Sequence, residues 1–307
     1  IPGVLNQNLV QVANQNTGYN RSNQMVGSLA INYNILKNLM WRSTAGLDYR
    51  LVQGESYRDP RTPDGAGVRG RGSIQSNWNV NFITFHTLNY NTTLSNNHNI
   101  GVIAGAEYRS ETNEGLSGSA TGFPTYQFRT IQSAATPETI TGFWTGYKRI
   151  GVFGKINYDF NKKYLAEFTA RYDGSSRFGS DNLYGFFPSA SVGWIIKEEP
   201  FLKDVALLSE LKIRASYGQT GNDQIGNFDA RGLYQGGVNY AGSPGIRPTQ
   251  LPNPVLQWER NESVNLGLDF GLFESRVTSA VDVYRRTSKD LLLGQPLPWV
   301  SGFDNTT

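Results

Sequence analysis

The stretch from Tyr164 to Trp194 contains two runs of residues in which apolar and polar side chains alternate. Successive side chains of a β-strand point to opposite faces, so each run predicts a strand with two different faces. The Asp173-Gly174 turn signal and a short polar loop separate the runs, which predicts a hairpin. One face carries charged, hydroxyl and glycine residues. The apolar face consists of Tyr164, Ala166, Phe168, Ala170, Tyr172, Phe186, Pro188, Ala190, Val192, Trp194 and Ile196.

Soluble sandwiches and membrane barrels both contain strands of this kind, and the period alone does not separate them. In a sandwich the apolar face packs inward, whereas in a transmembrane barrel it faces lipid and the polar face lines the lumen. The apolar face begins and ends with an aromatic residue in both runs, as at Tyr164 and Trp194. Aromatic rims and a strand length of about 9–11 residues or more favour the transmembrane barrel.

The composition fits a barrel and excludes several other classes. Charged residues make up 17% of the 307-residue chain and the net charge is +3, which gives no reason to expect nucleic acid as a partner. No apolar run reaches the roughly 18 residues that a membrane helix needs. The chain has no cysteine, and its two histidines, His86 and His98, are well separated. We therefore expect no thiol chemistry, no metal site and no cofactor.

The connections between the predicted strands alternate in length. The short ones lie at 36–38, 95–97, 161–163 and 271–275, and the long ones at 53–76, 110–147 and 221–255. Transmembrane up-and-down barrels show this asymmetry, with small periplasmic turns and large external loops. The pattern predicts about ten antiparallel strands of roughly 9–15 residues. It also predicts a loop at 1–20 and a helical turn within 198–208.

Several ordered motifs resemble those of SusC/RagA-type TonB-dependent outer-membrane transporters. The best marked are RYDGSSRFG at Arg171–Gly179 and GFFPSASVGW at Gly185–Trp194. The others lie at Leu208–Asn222, Pro252–Glu259, Asn265–Phe273 and Asp290–Leu292. Before Arg149 the resemblance rests on the strand pattern.

The resemblance implies an all-β chain that forms part of a transmembrane antiparallel up-and-down β-barrel of about 22 strands, with an N-terminal plug. Neither a plug sequence nor a TonB box is visible, so residues 1–307 are expected to be a segment of a single TonB-dependent-receptor barrel domain. The implied function is energised import of oligosaccharides or peptides across the bacterial outer membrane. The implied partners are a SusD-like lipoprotein, the TonB complex and outer-membrane lipid. No bond is broken in transport, so no catalytic residue is expected.

Two groups of residues are candidates for contacts with substrate or partners. Aromatic side chains in the long loops, Trp144, Tyr147, Tyr234 and Tyr240, could stack on sugar rings. For Trp144 and Tyr147 the favoured interpretation is an aromatic girdle at the membrane interface. The second group is the RYDGSSRFG motif, which either touches the plug or substrate from the lumen or forms a salt-bridged hairpin tip; the structural role is favoured. Its residues are Arg171, Asp173, Gly174, Ser175, Ser176, Arg177, Phe178 and Gly179.

Other features have simpler interpretations. The G-x-G-x-x-G pattern at Gly65–Gly70 lies between two predicted strands, so a flexible external loop is favoured over a dinucleotide site. Glu198, Glu199 and Asp223 have no nucleophile or histidine nearby in the sequence, and solvated charge is their expected role. Deletion of 221–255 is expected to weaken binding without unfolding the barrel. Two rival functions stay open: a passive porin-type barrel, and a β-rich surface adhesin or lectin.

Overall fold

The computed structural model describes residues 8–303 and 305–306. Ten antiparallel strands form one sheet in the order β1-β2-β3-β4-β5-β6-β7-β8-β11-β12, as the sequence predicts. The strands are β1 (Thr17–Leu36), β2 (Leu39–Arg58), β3 (Arg71–Leu94), β4 (His98–Thr121), β5 (Thr136–Phe160), β6 (Tyr164–Ser175), β7 (Tyr184–Ile195), β8 (Leu208–Asn222), β11 (Glu259–Leu272) and β12 (Val277–Lys289). Two smaller pairs join β9 (Leu233–Tyr240) to β10 (Ser243–Gln250) and β13 (Gln295–Pro296) to β14 (Asn305–Thr306).

Helices are few and short. They are α1 (Leu9–Gln15), α2 (Pro63–Ala66) and α3 (Pro200–Lys203), with single 3₁₀ turns at Ile131–Ser133, Ile196–Glu198 and Trp299–Ser301. The α3 turn and the adjoining Ile196–Glu198 turn fall at the predicted helical turn within 198–208 or just before it. Within the described part of the chain, no helix combines the length and the apolar character that a membrane span requires.

The first five strands are longer than the sequence predicts. They contain 20 to 25 residues, and much of the expected loops 53–76 and 110–147 is strand. Only 59–70 and 122–135 connect the strands there. Serine and threonine pair across β4 and β5, with Oγ to Oγ1 distances of 2.6 Å for Ser117 to Thr141 and 2.8 Å for Ser119 to Thr139. Cross-strand hydroxyl pairs of this kind stabilise a sheet without an apolar face, so the predicted loop bounds and strand lengths were wrong here.

The predicted loop at 1–20 was also wrong over its described part. Residues Leu9–Gln15 form α1, and its first turn is capped by the Asn8 side chain, which accepts a hydrogen bond from Gln11 N. Strand β1 begins at Thr17. Asparagine competes with the helix backbone inside a helix but stabilises its N-terminus, so an Asn-rich stretch can start a helix as well as a loop. Residues 1–7 lie outside the described residues.

The chain forms two compact units. The first contains the described residues up to Ser28, Gly46–Phe82 and Ser110–Gly146. Asp59 is fully buried in this unit, and its carboxylate accepts hydrogen bonds of 2.9 Å from both Nε and Nη2 of Arg61. These bonds hold the pKa of Asp59 below its ordinary value despite burial. Within Gly65–Gly70, a side chain at Gly65 would collide with the Asp59 carbonyl, so this segment is a packed turn and not a flexible loop.

The second unit contains Leu29–Ala45, Ile83–Arg109 and the chain from Tyr147 onward. Its strands β5, β6, β7, β8, β11 and β12 have the two faces that the alternation predicts. Phe168 pairs with Ala190, and Ala190 with Tyr217, so apolar residues lie side by side across strands. Exposed fractions on this apolar face are 50% for Phe168 and 59% for Val192. The opposite face carries Glu167, Arg171, Ser189, Ser191, Lys212, Arg214, Asn265 and Asp269.

The buried core of this unit is small and lies beyond one end of β6 and β7. It consists of Phe178, Phe187, Ala230, Leu256 and Trp258, with Ile225 and Leu292 packed against it. Among the described residues, no second sheet covers the apolar face of these strands. The core therefore belongs to the connecting segments and fixes their position relative to the strand ends.

Candidate functional site

The β6–β7 connection and the long β8–β11 connection share this core. The rings of Phe178 and Trp258 lie 4.8 Å apart between centroids, and those of Phe187 and Trp258 lie 5.4 Å apart. All three side chains are 5% exposed or less. The Trp258 indole N–H donates to the Leu183 carbonyl over 3.1 Å. The RYDGSSRFG motif thus packs against the part of the β8–β11 connection nearest the strands. This part, the root, includes Ala230, Leu256 and Trp258.

Arg177 joins the same two connections by polar contacts. Its Nε donates to Asn227 Oδ1 and its Nη1 to the Asp223 carbonyl, both over 2.9 Å. The guanidinium carbon also lies 3.9 Å from the centre of the Tyr147 ring. A cation over an aromatic face is attracted by the ring quadrupole, and the attraction strengthens where water is excluded. Arg177 therefore acts as a clamp between β5, the motif and the 223–227 segment.

Arg171 and Asp173 form the salt bridge that the sequence predicts for the hairpin tip. Nε and Nη2 of Arg171 bind the two Asp173 oxygens at 3.1 and 2.9 Å, a bidentate geometry. Glu107 on β4 lies 3.5 Å from Nη2. The guanidinium also lies 5.1 Å from the Phe153 ring centre. The Asp173 pair lies within β6, and the other two contacts tie Arg171 to β4 and β5, which supports the structural interpretation.

The small residues of the motif make close backbone contacts possible. Gly179 donates its N–H to the Leu256 carbonyl over 3.0 Å, and any side chain at Gly179 would collide with the Pro254 carbonyl. A side chain at Gly174 would meet the Tyr184 ring. Ser175 N donates to the Leu183 carbonyl, and Ser176 exchanges bonds with the Lys148 backbone over 2.9 to 3.0 Å. Gly179 therefore allows direct backbone contact between the motif and the β8–β11 connection.

Two carboxylates expected to be solvated are buried, so that expectation was wrong for them. Asp223 lies 3.5 Å from Arg149 Nη1 and is 6% exposed. Glu199 accepts hydrogen bonds from the Tyr164 hydroxyl at 2.7 Å and the Trp194 indole at 3.1 Å. These donors, with Lys163, hold the pKa of Glu199 below its ordinary value. Glu198 is exposed as expected. The sequence around Asp223 and Glu199 did not indicate Arg149 and Tyr164 as partners, because these two lie on β5 and β6.

The outer part of the β8–β11 connection is the β9–β10 hairpin. Gln250 fixes its root by donating from Nε2 to the carbonyls of Phe228, Asp229 and Arg231 over 2.7 to 3.1 Å. Beyond this point Tyr234 is 70% exposed and Tyr240 is 82% exposed. The two tyrosines predicted as contact residues therefore lie on a hairpin that is anchored at its root, and they are accessible to a ligand.

The two other predicted aromatic contacts, Trp144 and Tyr147, lie on opposite faces of β5. Trp144 is 57% exposed, three residues before the buried Tyr147. Tyr147 lies beneath the Arg177 guanidinium and faces the same side as Arg149. An exposed ring on the outward face suits the girdle interpretation of Trp144. Tyr147 is placed to hold Arg177, and a ligand would reach its ring only after Arg177 moved.

The contacts described above position the connecting segments at the strand ends. Among residues 8–303 and 305–306, no group of three or more His, Cys, Asp or Glu side chains is placed to hold a metal ion. Sequence reasoning assigned no role to Phe187, Asn227, Gln250 or Trp258. Phe187 did carry a signal, since it is a large apolar residue on the polar face of β7. Its ring fills the space that Gly221 leaves open.

A sheet of long antiparallel strands with one exposed apolar face and one polar face defines the protein as a transmembrane β-barrel protein. A family model described as TonB dependent receptor-like, beta-barrel, matches residues 3–306. The chain belongs to this family, and it is of the SusC/RagA type. The family consists of outer-membrane transporters and not of enzymes, which confirms the predicted fold class and location.

Curated relatives agree with this assignment. The TonB-dependent receptors P3 and P39 of Formosa agariphila are 32% and 33% identical to the chain over 88% and 92% of its length. These matches span 27% and 28% of the relatives themselves. TonB-dependent receptor SusC of Bacteroides thetaiotaomicron is 42% identical over 172 residues, 53% of this chain and 17% of SusC. The chain thus spans less than a third of the length of these relatives.

Solved structures show the same fold. The RagAB peptide transporter superposes with a TM-score of 0.89 and 27% identity over 96% of this chain and 33% of its own. The RagAB peptide importer in its open-open state gives a TM-score of 0.85 with 26% identity, over 96% of this chain and 32% of its own. The fold of this chain is therefore shared with about a third of each of these solved chains.

Proposed function

We propose that the protein imports a nutrient across the bacterial outer membrane, using energy delivered by the TonB complex. The observation that carries this proposal is the family match over residues 3–306. The physical requirements agree, since the apolar face supplies a surface for lipid and the polar face supplies a wall for an aqueous passage. Residues 1–307 would be one segment of the barrel domain, and a plug would gate the passage.

The substrate class we propose is an oligosaccharide or a peptide, captured with a SusD-like surface lipoprotein. RagAB is described as a peptide transporter, and it resembles 96% of this chain. The hairpin with Tyr234 and Tyr240 would provide contacts to the substrate or to the lipoprotein. Exposed aromatic rings combine apolar area with a polar hydroxyl, which suits both sugar rings and peptide side chains.

The test uses the full-length protein in its own membrane. A strain that depends on this transporter is grown on candidate glycans and peptides, with and without a functional TonB complex. Growth on one substrate class that stops when TonB is removed supports energised import. Uptake that persists without TonB would contradict energised import and support a passive porin-type barrel.

The variant that removes the contact residues must follow the structure. Deletion of 221–255 would take out Ala230 of the core, Ile225 that packs against it, and both polar partners of Arg177, Asp223 and Asn227. That deletion is still expected to leave the barrel folded, but it would disturb the anchor as well as the hairpin, so a loss of binding would not be specific to the hairpin. Removing 233–250 and joining the ends by a short glycine linker leaves the core in place. Loss of uptake and of co-purified lipoprotein in this variant supports the proposed role of the hairpin.

The adhesin or lectin alternative requires the apolar face to pack against a second sheet. Phe168, Tyr172 and Val192 are 48 to 59% exposed, with no such layer among the described residues. A soluble protein would aggregate through an apolar surface of this extent. The membrane barrel explains the exposed face without further assumptions.

A further inference from the structure

A cleft at the outer end of β5 and β6 has no part in the proposed import function. It encloses about 600 Å³ and is bounded by the RYDGSSRFG turn on one side and by residues 230–231 and Pro254 on the other. All of its residues belong to the second unit. The Ser176 bonds to Lys148 and the Gly179 bond to Leu256 form its rim. It is therefore a built feature of the fold and not a gap between loose loops.

The charge of this cleft is entirely positive. Three cations line it, Lys148, Arg149 and Arg231, and none of the described residues that line it is acidic. Arg149 is neutralised by Asp223 at 3.5 Å. Lys148 and Arg231 are both exposed, and neither forms an ion pair with a described carboxylate. The Arg231 guanidinium also lies 5.6 Å from the centre of the Phe228 ring, a contact that does not neutralise its charge. Two exposed cations with nearby hydroxyl groups form a site that favours an anion, and phosphate above all.

The position of the cleft identifies the source of the anion. Ile150 and Tyr184 line the cleft and are 50% and 53% exposed on the apolar face of the strands. The Tyr184 ring stacks on Tyr172 at 5.2 Å, and Val152 continues the apolar surface along β5. Paired tyrosines at the limit of an apolar band mark the membrane–water interface. The cleft thus opens where lipid phosphates lie, at the strand ends that carry the long loops.

We propose that this cleft binds the phosphate of an outer-leaflet glycolipid of the lipid A type. Lys148 and Arg231 bind the phosphate, and the acyl chains run along Ile150, Val152 and Tyr172. The outer leaflet of a bacterial outer membrane consists largely of such phosphorylated glycolipids. A cation next to lipid would be costly without an anion, and the headgroup supplies it. The site is independent of the proposed import function.

The test is native mass spectrometry of the full-length protein in a non-ionic detergent, titrated with lipid A. The variant Lys148→Gln with Arg231→Gln is expected to bind lipid A at least about tenfold more weakly, because charge-assisted hydrogen bonds are lost. Lipid A without its phosphates is expected to bind the native protein as weakly as lipid A binds the variant. The matched control, Lys162→Gln with Arg247→Gln, removes two exposed cations outside the cleft and should bind normally.

Other outcomes overturn the proposal. Equal affinity of the variant and the native protein would show that the cations have no part in lipid binding. Equal binding of dephosphorylated lipid A would show that the cleft does not bind phosphate. Lys148 would then be an ordinary surface lysine with its charge in water. Displacement of lipid A by inorganic phosphate at similar concentrations would assign the cleft to a free anion. If the double variant does not assemble, Arg231→Gln alone, an exposed change, carries the same expectation at reduced size.

Discussion

The root and the tip of the β8–β11 connection differ in every physical respect. At the root, Trp258 is 4% exposed and packs against Phe178, and the Arg177 clamp and Gly179 close the remaining space. At the tip, Tyr240 is 82% exposed and Gly236 has no atom near the position of a Cβ. The best-marked family motif, RYDGSSRFG, packs against the root. It acts here as a mechanical anchor, and the exposed tyrosines proposed for recognition lie on the hairpin that it supports.

The largest difference between root and tip is expected for Trp258→Ala. Removing a buried indole should destabilise the root by about 3–5 kcal/mol, because a cavity forms in a small core. Limited proteolysis of the full-length protein should then cut faster between 223 and 257. Tyr240→Ala is the control and should leave both proteolysis and thermal unfolding unchanged. Equal protection of the two variants would contradict a packed root.

Adding a single methyl group at a glycine tests the same difference in packing between the root and the tip. Gly179→Ala should cost about 3 kcal/mol, at the upper end for an overpacked site, because the new group meets the backbone of Pro254. Gly236→Ala on the hairpin enters open space and should be neutral. Thermal unfolding of both full-length variants is the measurement. A neutral Gly179→Ala would mean that the motif is not sealed against the connection.

Arg177→Gln should have an intermediate effect. It removes the cation above Tyr147 and weakens the bonds to Asn227 and Asp223, a loss of about 1–2 kcal/mol. The root should open more often, seen as faster amide hydrogen exchange in 223–230. Arg247→Gln, which alters one bond to Gln235 on the hairpin, should change exchange only locally. Unchanged exchange in 223–230 would remove Arg177 from the anchor.

The smallest effect on stability is expected for Tyr234→Ala with Tyr240→Ala. Exposed side chains contribute little, so the unfolding free energy should change by less than about 0.5 kcal/mol per site. If the proposed function holds, affinity for substrate or lipoprotein should fall by about 0.5–1.5 kcal/mol per ring. Binding to the purified full-length protein is measured by calorimetry. Unchanged affinity would leave the hairpin without a role in recognition.

The candidate site was only partly predictable from the sequence. The Arg171–Asp173 salt bridge follows from two charges at the same face of one strand, and it was predicted. The partners of Arg177 lie 46 and 50 residues away, and the indole of Trp258 reaches a carbonyl 75 residues away. The alternation of neighbouring residues carries no information about contacts between residues so far apart in the sequence. The same limit explains why the burial of Asp223 and Glu199 was missed.

The sequence by itself determined the all-β class, the two faces of each membrane strand and the ten strands of the sheet. These follow from alternation with period two, which is a local property of the chain. Only the tertiary structure decided where strands continue beyond the apolar band, that Tyr147 lies under Arg177, and that the β8–β11 connection has a rigid root. The reason is that backbone pairing and burial depend on which segments meet in space. A polar segment forms strand or loop according to its neighbour, and a charged residue is exposed or buried according to what packs on it.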